Sequence, residues 1–590
     1  MRFLSVSRSS FMIELADLDE TLALFDCLIN ARLAGIVDII PAARTLLLNF
    51  NPLVSDEETL QQKIAGLRII KGNGLSGKLV EIPVVYQGED LDEVAKILKI
   101  DRDEVIARHT KSDYRVAFCG FAPGFAYLSG GDPIFNVPRR ASPRQSIAAG
   151  AVGLAGKFSG IYPRPSPGGW QLIGRTNLQM FDLGREQPAL LNPGDSVHFV
   201  DVTQDYQNDK ASSSKTISFV KNHETAKHYG ASLGNEQHLT REKRQKSEKA
   251  GGKNCKIAQT GLTAAKGDNE QSDRTAVFKI CSTLLPISFQ DSGRLFQSSQ
   301  GISPSGALDQ GAMKAANLAV GNDADFPVLE LTYGNARFLA LQKAVIAFTG
   351  ATLPITIQSA TNEIIKCDKN RPLAIDEGDE ITLGVPIAGF RSYMALRGGF
   401  AVKRVLHSAS FDSLSNLGAR PMVGGEVVFA GNKAGLKPVI LSVEEGCFLP
   451  KAGETVVLDV VMGPRTEWFD KASIVHFLEN SWQVTAASNR IGIRLENDRP
   501  LKRAFTGELP SEGTVTGAIE VPSNGKPVLF LRDRPVTGGY PVIASLVEEQ
   551  IDMAAQIPIG CFIKFRAVKE FYDSAASLHD RSKGEGEKSK

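Results

Sequence analysis

The chain has 590 residues, 42% of them hydrophobic and 23% charged, the proportions of a soluble globular protein with room for roughly three or four domains. Its 67 lysines and arginines balance 66 acidic residues to a net charge of +1, which excludes a general attraction to nucleic acid or to an anionic membrane. Seven widely spaced cysteines without a CxxC pair point to reduced thiols in a cytoplasmic protein rather than to a disulfide framework or a zinc site; no apolar run approaches a membrane span, and acidic residues come too early for a signal peptide.

Residues 1–100 read as a small α/β domain. FMIEL (11–15) and ARTLLLNFNP (43–52) are strands, and LDETLALFDCLINARL (18–33) carries apolar residues at helical spacing. SDEETLQQKIAGLRI (55–69) is a second helix, with Ser55 as N-cap and Glu58 three residues on. EIPVVYQG (81–88) is a strand whose Pro83 suits a sheet edge, and 91–110 gives two short helices ending near His109. From Tyr114 to about Val202 short strands broken by Gly and Pro replace helical periodicity, which predicts a β-barrel or sandwich. Residues 203–274 are Lys-, Ser- and Asn-rich and poor in aliphatics, so they read as a disordered linker; their REKRQKSEK cluster interleaves Glu and reads as a solvated tether. Two further β-rich units follow, 275–440 and 441–570, and a charged disordered tail, 571–590, ends the chain. One helix stands out in the first unit, ALDQGAMKAANLAVG (307–321), started by Asp309 or Ser305 and stopped at Gly321; another is expected around 544–557.

The densest stretch is Phe118–Thr176, where Gly and Pro alternate with aromatics and with Arg139, Arg140, Arg144, Arg164 and Arg175. Two readings fit it equally on pattern alone: rigid turns presenting backbone amides and guanidinium forks to a polar or anionic ligand, or punctuation of a turn-rich barrel. A second stretch, Gln290–Glu330, strings Asp291, Arg294, Asp309, Asn317, Asn322 and Glu330 through turns and one helix. These are either caps and turn formers or a site that binds a polar substrate and orients water. Other motifs fail on spacing. Gly72–Leu79 resembles a phosphate loop but has Leu79 in place of the metal-binding hydroxyl and is followed by a strand. Ala312–Ala315 approaches a biotin-acceptor tetrapeptide but falls in the predicted helix, and His223, Glu224 and His228 miss zincin spacing by one residue.

GFAPGFAYL (120–128), PRRASPR (138–144), GIYPRPSPGGWQLIGRT (160–176) and NPGD (192–195) resemble the KipI family, the B-type component of 5-oxoprolinase, also called the first component of allophanate hydrolase, over about residues 8–202. QDSGR, GISPSGALD, AANLAVGN, LELTYGN, YMALRGGF and TGGYPVIA resemble the KipA family, the C-type component of 5-oxoprolinase (the second of allophanate hydrolase), over about 277–567. The chain therefore resembles a natural fusion of the two within the carboxyltransferase-domain family.

The resemblance implies a mainly β fold with α/β additions: tandem cyclophilin-like barrels, the first (101–202) of the carboxyltransferase subdomain A/B type, after a small N-terminal α/β domain. It implies a component of an ATP-dependent amide hydrolase that opens 5-oxoproline to glutamate, with ATP and magnesium as cofactors and a separate 5-oxoprolinase A-type protein as partner; no biotin attachment site is expected in this chain. A carboxyltransferase-like unit of a urea or amide carboxylase, and a regulatory protein docking a histidine kinase, are the alternatives. Carried over by matching position, the catalytic candidates are Arg139, Arg144, Arg175, Asp291, Arg294 and Asp309. The substrate-binding candidates are Pro123, Gly124, Phe125, Tyr127, Gly168, Gly169, Trp170, Ser305, Asn317, Asn322 and Glu330; no metal site is expected. The chain departs from the pattern at Glu520 and Asn489, where Gln and Asp are usual, at Arg534–Pro535, and in LHSASFDSLSN (406–416), which lacks an arginine.

Overall fold

The computed structural model describes residues 1–69, 77–140, 142–212, 275–431, 435–444, 446–505 and 507–569, with backbone alone for 208–212 and 569. The phosphate-loop resemblance and the charged and histidine-containing motifs of 203–274 lie largely or wholly outside them. Strands Arg2–Ser5, Ser10–Glu14, Ile36–Pro41 and Thr45–Phe50 form an antiparallel sheet in the order first, second, fourth, third. Helices Leu18–Ala31 and Glu57–Ala65 cover it, each capped by an aspartate: Asp17 accepts from the Glu20 amide and Asp56, rather than Ser55, from the Thr59 amide. Register puts Ile13 opposite Leu46, Met12 opposite Leu47 and Phe11 opposite Leu48. Phe11, Ile13, Leu46 and Leu48 join Leu24, Leu28 and Leu60 of the helices in one core. Leu4, Met12, Ile40 and Leu47 on the other face join Val515, Phe530, Val536 and Val542 from the far end of the chain. Both faces are buried, which is why TLLL is a continuous apolar run instead of an alternating one.

The strand Leu79–Val84 already belongs to the next sheet, ahead of the boundary expected at 100. It runs parallel to Ser196–Asp201 at the edge of a seven-stranded sheet, with Pro83 where an edge tolerates it. The other edge is Gln171–Arg175, and the two edges meet through paired backbone hydrogen bonds between Val85 and Arg175, at 2.9 and 3.0 Å, closing the sheet into a barrel. Helices Leu91–Leu98 and Arg102–Lys111 carry Leu91, Val94 and Val105 into its core. Thr203–Ser212, at the start of the expected linker, is helical.

In the second half, a six-stranded and a five-stranded sheet enclose one core around Phe278, Phe338, Ile346, Phe348 and Leu396, two layers where a single barrel was expected. Helix Gln310–Ala319 buries Ala312, Met313 and Ala316 against Val328, Ala347 and Tyr393; Asp309 is its cap, and Lys314 is exposed. From Thr455 to Lys569 seven strands form a closed barrel, in which the last, Phe562–Lys569, returns parallel to the first, Thr455–Met462. Helix Lys471–Glu479 in this region escaped the sequence reading. The helix expected at 544–557 shrinks to Ile551–Ala555, because Val542–Leu546 is a strand in the ring. No helix among the described residues is long and apolar enough to cross a membrane.

Candidate active site at the junction of the two halves

The stretch GFAPGFAYL turns back on itself at Phe121 and Gly124, which have φ of 63° and 75°. Its backbone is pressed against the second half. The Gly124 amide donates to the Gln300 carbonyl at 3.0 Å, and a methyl group on Gly120 would lie 2.0 Å from Thr537 Oγ1. Behind the turn, Phe125, Tyr127 and Trp170 stack edge to face, with centroids 5.1 to 5.6 Å apart, and all are buried. Phe125 and Trp170 are therefore packed interior, as is Pro123. Tyr127 differs: its hydroxyl faces Ser511 and Thr537 of the other half. Gly168 is wanted for close approach to the Tyr162 hydroxyl, whereas Gly169, whose carbonyl accepts the Arg140 amide at 2.8 Å, has room for a side chain.

Of the predicted arginines, Arg139 alone reaches the other half's turn Gly538–Gly539. It is half-exposed, 4.0 Å from Glu508, with Nη1 3.9 Å from where a side chain on Gly539 would begin. On the far side of that turn is Glu520, buried, with Oε1 2.6 Å from the corresponding position on Gly538. Burial pushes its carboxyl up to about 7, against a hydrogen bond from the Tyr540 amide and the charge of Arg503, which do not offset it. Arg503 lies over the Tyr540 ring at 5.4 Å, donates to the Val521 carbonyl at 2.8 Å, and keeps a buried Nε without a hydrogen-bond partner. Gly538 thus leaves room for the Glu520 carboxyl, and Arg139 and Arg503 stand near the same turn from the two halves. Arg503 escaped the sequence reading because nothing in its local pattern marks it.

Arg144 and Arg175 are held elsewhere. Arg144 donates to Asp90 at 2.8 Å, alongside Arg140 at 2.7 Å, while the other Asp90 oxygen accepts the Leu172 amide at 2.8 Å. Burial would raise the Asp90 pKa, but the Arg144 hydrogen bond and these partners hold it below the usual range. This clamp ties the loop to the barrel. Arg175 supplies the backbone that closes the barrel, and its guanidinium lies on Tyr206, 5.2 Å from the ring centre.

The candidates of the second half form a buried lattice. Asp291 accepts from Ser408 and Ser410 hydroxyls, both at 2.6 Å, and from the Ala409 amide. Arg294 donates to the Val405 and Ser410 carbonyls and keeps a buried Nη1 without a partner. Ser305, at φ 54°, donates to Asp533 at 2.6 Å. Arg490 bridges Asp533, at 2.9 Å, to Glu330, which also accepts the Tyr393 hydroxyl and the Leu308 amide. Asn317 and Asn322 bind each other and fix the turn after the helix. Asp309 accepts the Ala312 amide and the Gln556 side chain, and burial, assisted by the charge of Asp552, pushes its pKa up to about 6. Asn489 caps its own turn through the Ile491 and Gly492 amides. Apart from the spare Arg294 Nη1, these groups are taken up by one another and by backbone, and through Asp533 the lattice holds the start of the barrel turn 533–540. Among the described residues no cluster of three His, Cys, Asp or Glu side chains could hold a metal ion.

Two family descriptions cover most of the chain: carboxyltransferase domain, subdomain C and D, over residues 1–191, and carboxyltransferase domain, subdomain A and B, over 300–567. The A and B type expected for the first barrel thus belongs to the second half. Over 292 residues the chain is 34% identical to the C component of 5-oxoprolinase from Escherichia coli, spanning 49% of this chain and 90% of that protein. Over 157 residues it is 44% identical to the B component of 5-oxoprolinase from Bacillus subtilis, spanning 26% of this chain and 65% of that one. It is also 29% identical to urea amidolyase of Saccharomyces cerevisiae over 297 residues, 48% of this chain and 16% of that enzyme. The crystal structure of TTHA0988 superposes with a TM-score of 0.72 at 28% identity, covering 94% of this chain and 99% of that one. The chain is a member of the carboxyltransferase-domain family. Within it, this protein fuses a half of the 5-oxoprolinase B type to a half of the C type.

Proposed function

We propose that this protein is the fused B and C component of a 5-oxoprolinase-type amide hydrolase, opening 5-oxoproline to glutamate in the cytoplasm with a separate 5-oxoprolinase A-type partner. The supporting observation is the junction itself: Arg139 of one half and Glu520 and Arg503 of the other converge on the Gly538–Gly539 turn, and the relatives of both halves are named as parts of one enzyme. A lactam resists hydrolysis because resonance lowers its electrophilicity, so its carbonyl has to be activated at the expense of ATP. ATP and its magnesium serve that activation within the complex. What this chain supplies is charge stabilisation: Arg139 and Arg503 offset the negative charge that develops on oxygen as water adds to the carbonyl carbon, and Glu520, which replaces the usual Gln, sets the charge of the turn beside them.

Purified chain plus the A-type protein should release ADP only when 5-oxoproline is present. Absence of turnover in the reconstituted pair overturns the reading. The carboxyltransferase description favours a second reading, carboxyl transfer from a biotin carrier supplied in trans. Carrier-dependent carboxylation of urea, without 5-oxoproline-dependent ADP release, would establish that one instead.

A further inference from the structure

A cleft of about 490 Å3 opens between the halves and shares no lining residue with the Gly538–Gly539 turn. The first half lines it with Arg164, Gln179, Phe181, Asp182 and Leu183, the second with Ser415 and Asn416 among others. Its volume is in the range of small-molecule sites. Arg164 donates to the Leu414 carbonyl, has no carboxylate within ion-pair distance among the described residues, and keeps a buried Nε without a partner. The nearby Asp412 is turned inward, its oxygens taken by Ser303, Ser415 and the Leu414 and Ser415 amides. Asp182 spends one oxygen on the Gly184 amide, at 2.9 Å, and has no cationic partner among the described residues. An unpaired cation and an unpaired anion thus line one cleft without meeting each other.

We propose that this cleft binds a small zwitterionic amino acid, its carboxylate taken by Arg164 and its ammonium by Asp182. A guanidinium already deprived of part of its hydration, with a donor to spare, gains most from a carboxylate that accepts from two of its nitrogens. A simple dicarboxylate would satisfy Arg164 but set a second negative charge against Asp182, and a simple amine would leave Arg164 uncompensated. A zwitterion satisfies both, while Gln179 and Asn416 offer amides and Phe181 and Leu183 apolar surface to the side chain. The site is independent of the hydrolase reading, because it needs no partner protein.

Isothermal titration of the full chain, without any partner, tests this with L-glutamate and with glutarate, which has the same carboxylates and no ammonium. L-glutamate is expected to bind saturably, and glutarate about tenfold more weakly, a difference of about 1.4 kcal/mol. Asp182→Asn should erase the preference for L-glutamate over glutarate. Arg164→Met should weaken both ligands by at least about tenfold, with Arg164→Lys intermediate. Circular dichroism establishes that each variant is folded, and Asp182→Asn, at a partly exposed loop, tests the proposal even where Arg164→Met is unfolded. No saturable binding of L-glutamate by the wild-type chain, or a glutamate preference untouched by Asp182→Asn, overturns it.

Discussion

Arg465 of the closed barrel donates to Glu14 of the N-terminal sheet at 2.8 Å across 451 positions of sequence, and the same guanidinium is paired with Glu512. The arginine is 4% exposed. The two halves are thereby locked by a buried charge as well as by the apolar seam of Met12, Leu47, Val536 and Val542.

Removing the cation should cost more than removing one anion. Arg465→Met leaves Glu512 buried without its partner and is expected to destabilise the protein by about 3–5 kcal/mol. Glu14→Gln keeps the Arg465–Glu512 pair and should cost about 1 kcal/mol, in the range of a single hydrogen bond. Calorimetry of the two variants checks the order, and equal losses would mean that the buried pair does not hold the junction.

The contact between Gly120 and Thr537 makes a second, geometric prediction. A methyl group at 120 would collide with Oγ1 at 2.0 Å, with Thr537 Cγ2 and Cβ next at 2.9 and 3.0 Å. Gly120→Ala should therefore lower the melting temperature and loosen the junction to proteolysis. Thr537→Ala removes the two nearest atoms and should restore much of the loss. A double-mutant cycle reads the coupling, expected between about 0.5 and 3 kcal/mol; additive effects would show that the clash is relieved elsewhere.

Local signals in the sequence were good guides to local structure. Asp309 starts its helix, Pro83 lies on a sheet edge, and Gly/Pro density between 114 and 202 marks the barrel's turns. Arg139 and the stretch around Tyr127 do reach the junction. What could not be read are relations between distant segments. Whether Arg144 faces substrate or Asp90, and whether Arg175 is catalytic or closes the barrel against Val85, depends on which strands become neighbours. The apolar run at 46–48 marked a strand, but not that both its faces are covered or that the second cover comes from Val515–Val542. Arg503 and Asp90 carry no local mark at all.

His109 is expected to make the first barrel acid-sensitive. It is buried between Tyr86, at 2.7 Å, and Ser159, at 3.0 Å, and burial lowers its pKa to about 3. With a folded value below the unfolded one, its contribution to stability is full above about 6.5 and is lost as pH falls from there toward 3. Thermal melts from pH 7.5 to 4.5 should show a decline that is shallower in His109→Gln, whose amide takes no proton. The same slope in both proteins would assign the acid loss to other groups.

Glu520 has the opposite sign. Its folded pKa of about 7 lies above the ordinary glutamate value of 4.5, so the stability it contributes is full below that value and is lost as pH rises through 7. Glu520→Gln should therefore be more stable than the parent at pH 8 and close to it at pH 5, a difference visible in melting temperature without any partner. The same substitution separates stability from chemistry. It restores the residue usual at this position in the family the chain resembles, so turnover of the reconstituted complex at pH 7 should stay within about tenfold of the parent while stability at pH 8 rises. A loss of roughly 10²-fold or more would instead make Glu520 the group that takes the water proton in this protein, with the burial of its carboxyl retained for that step.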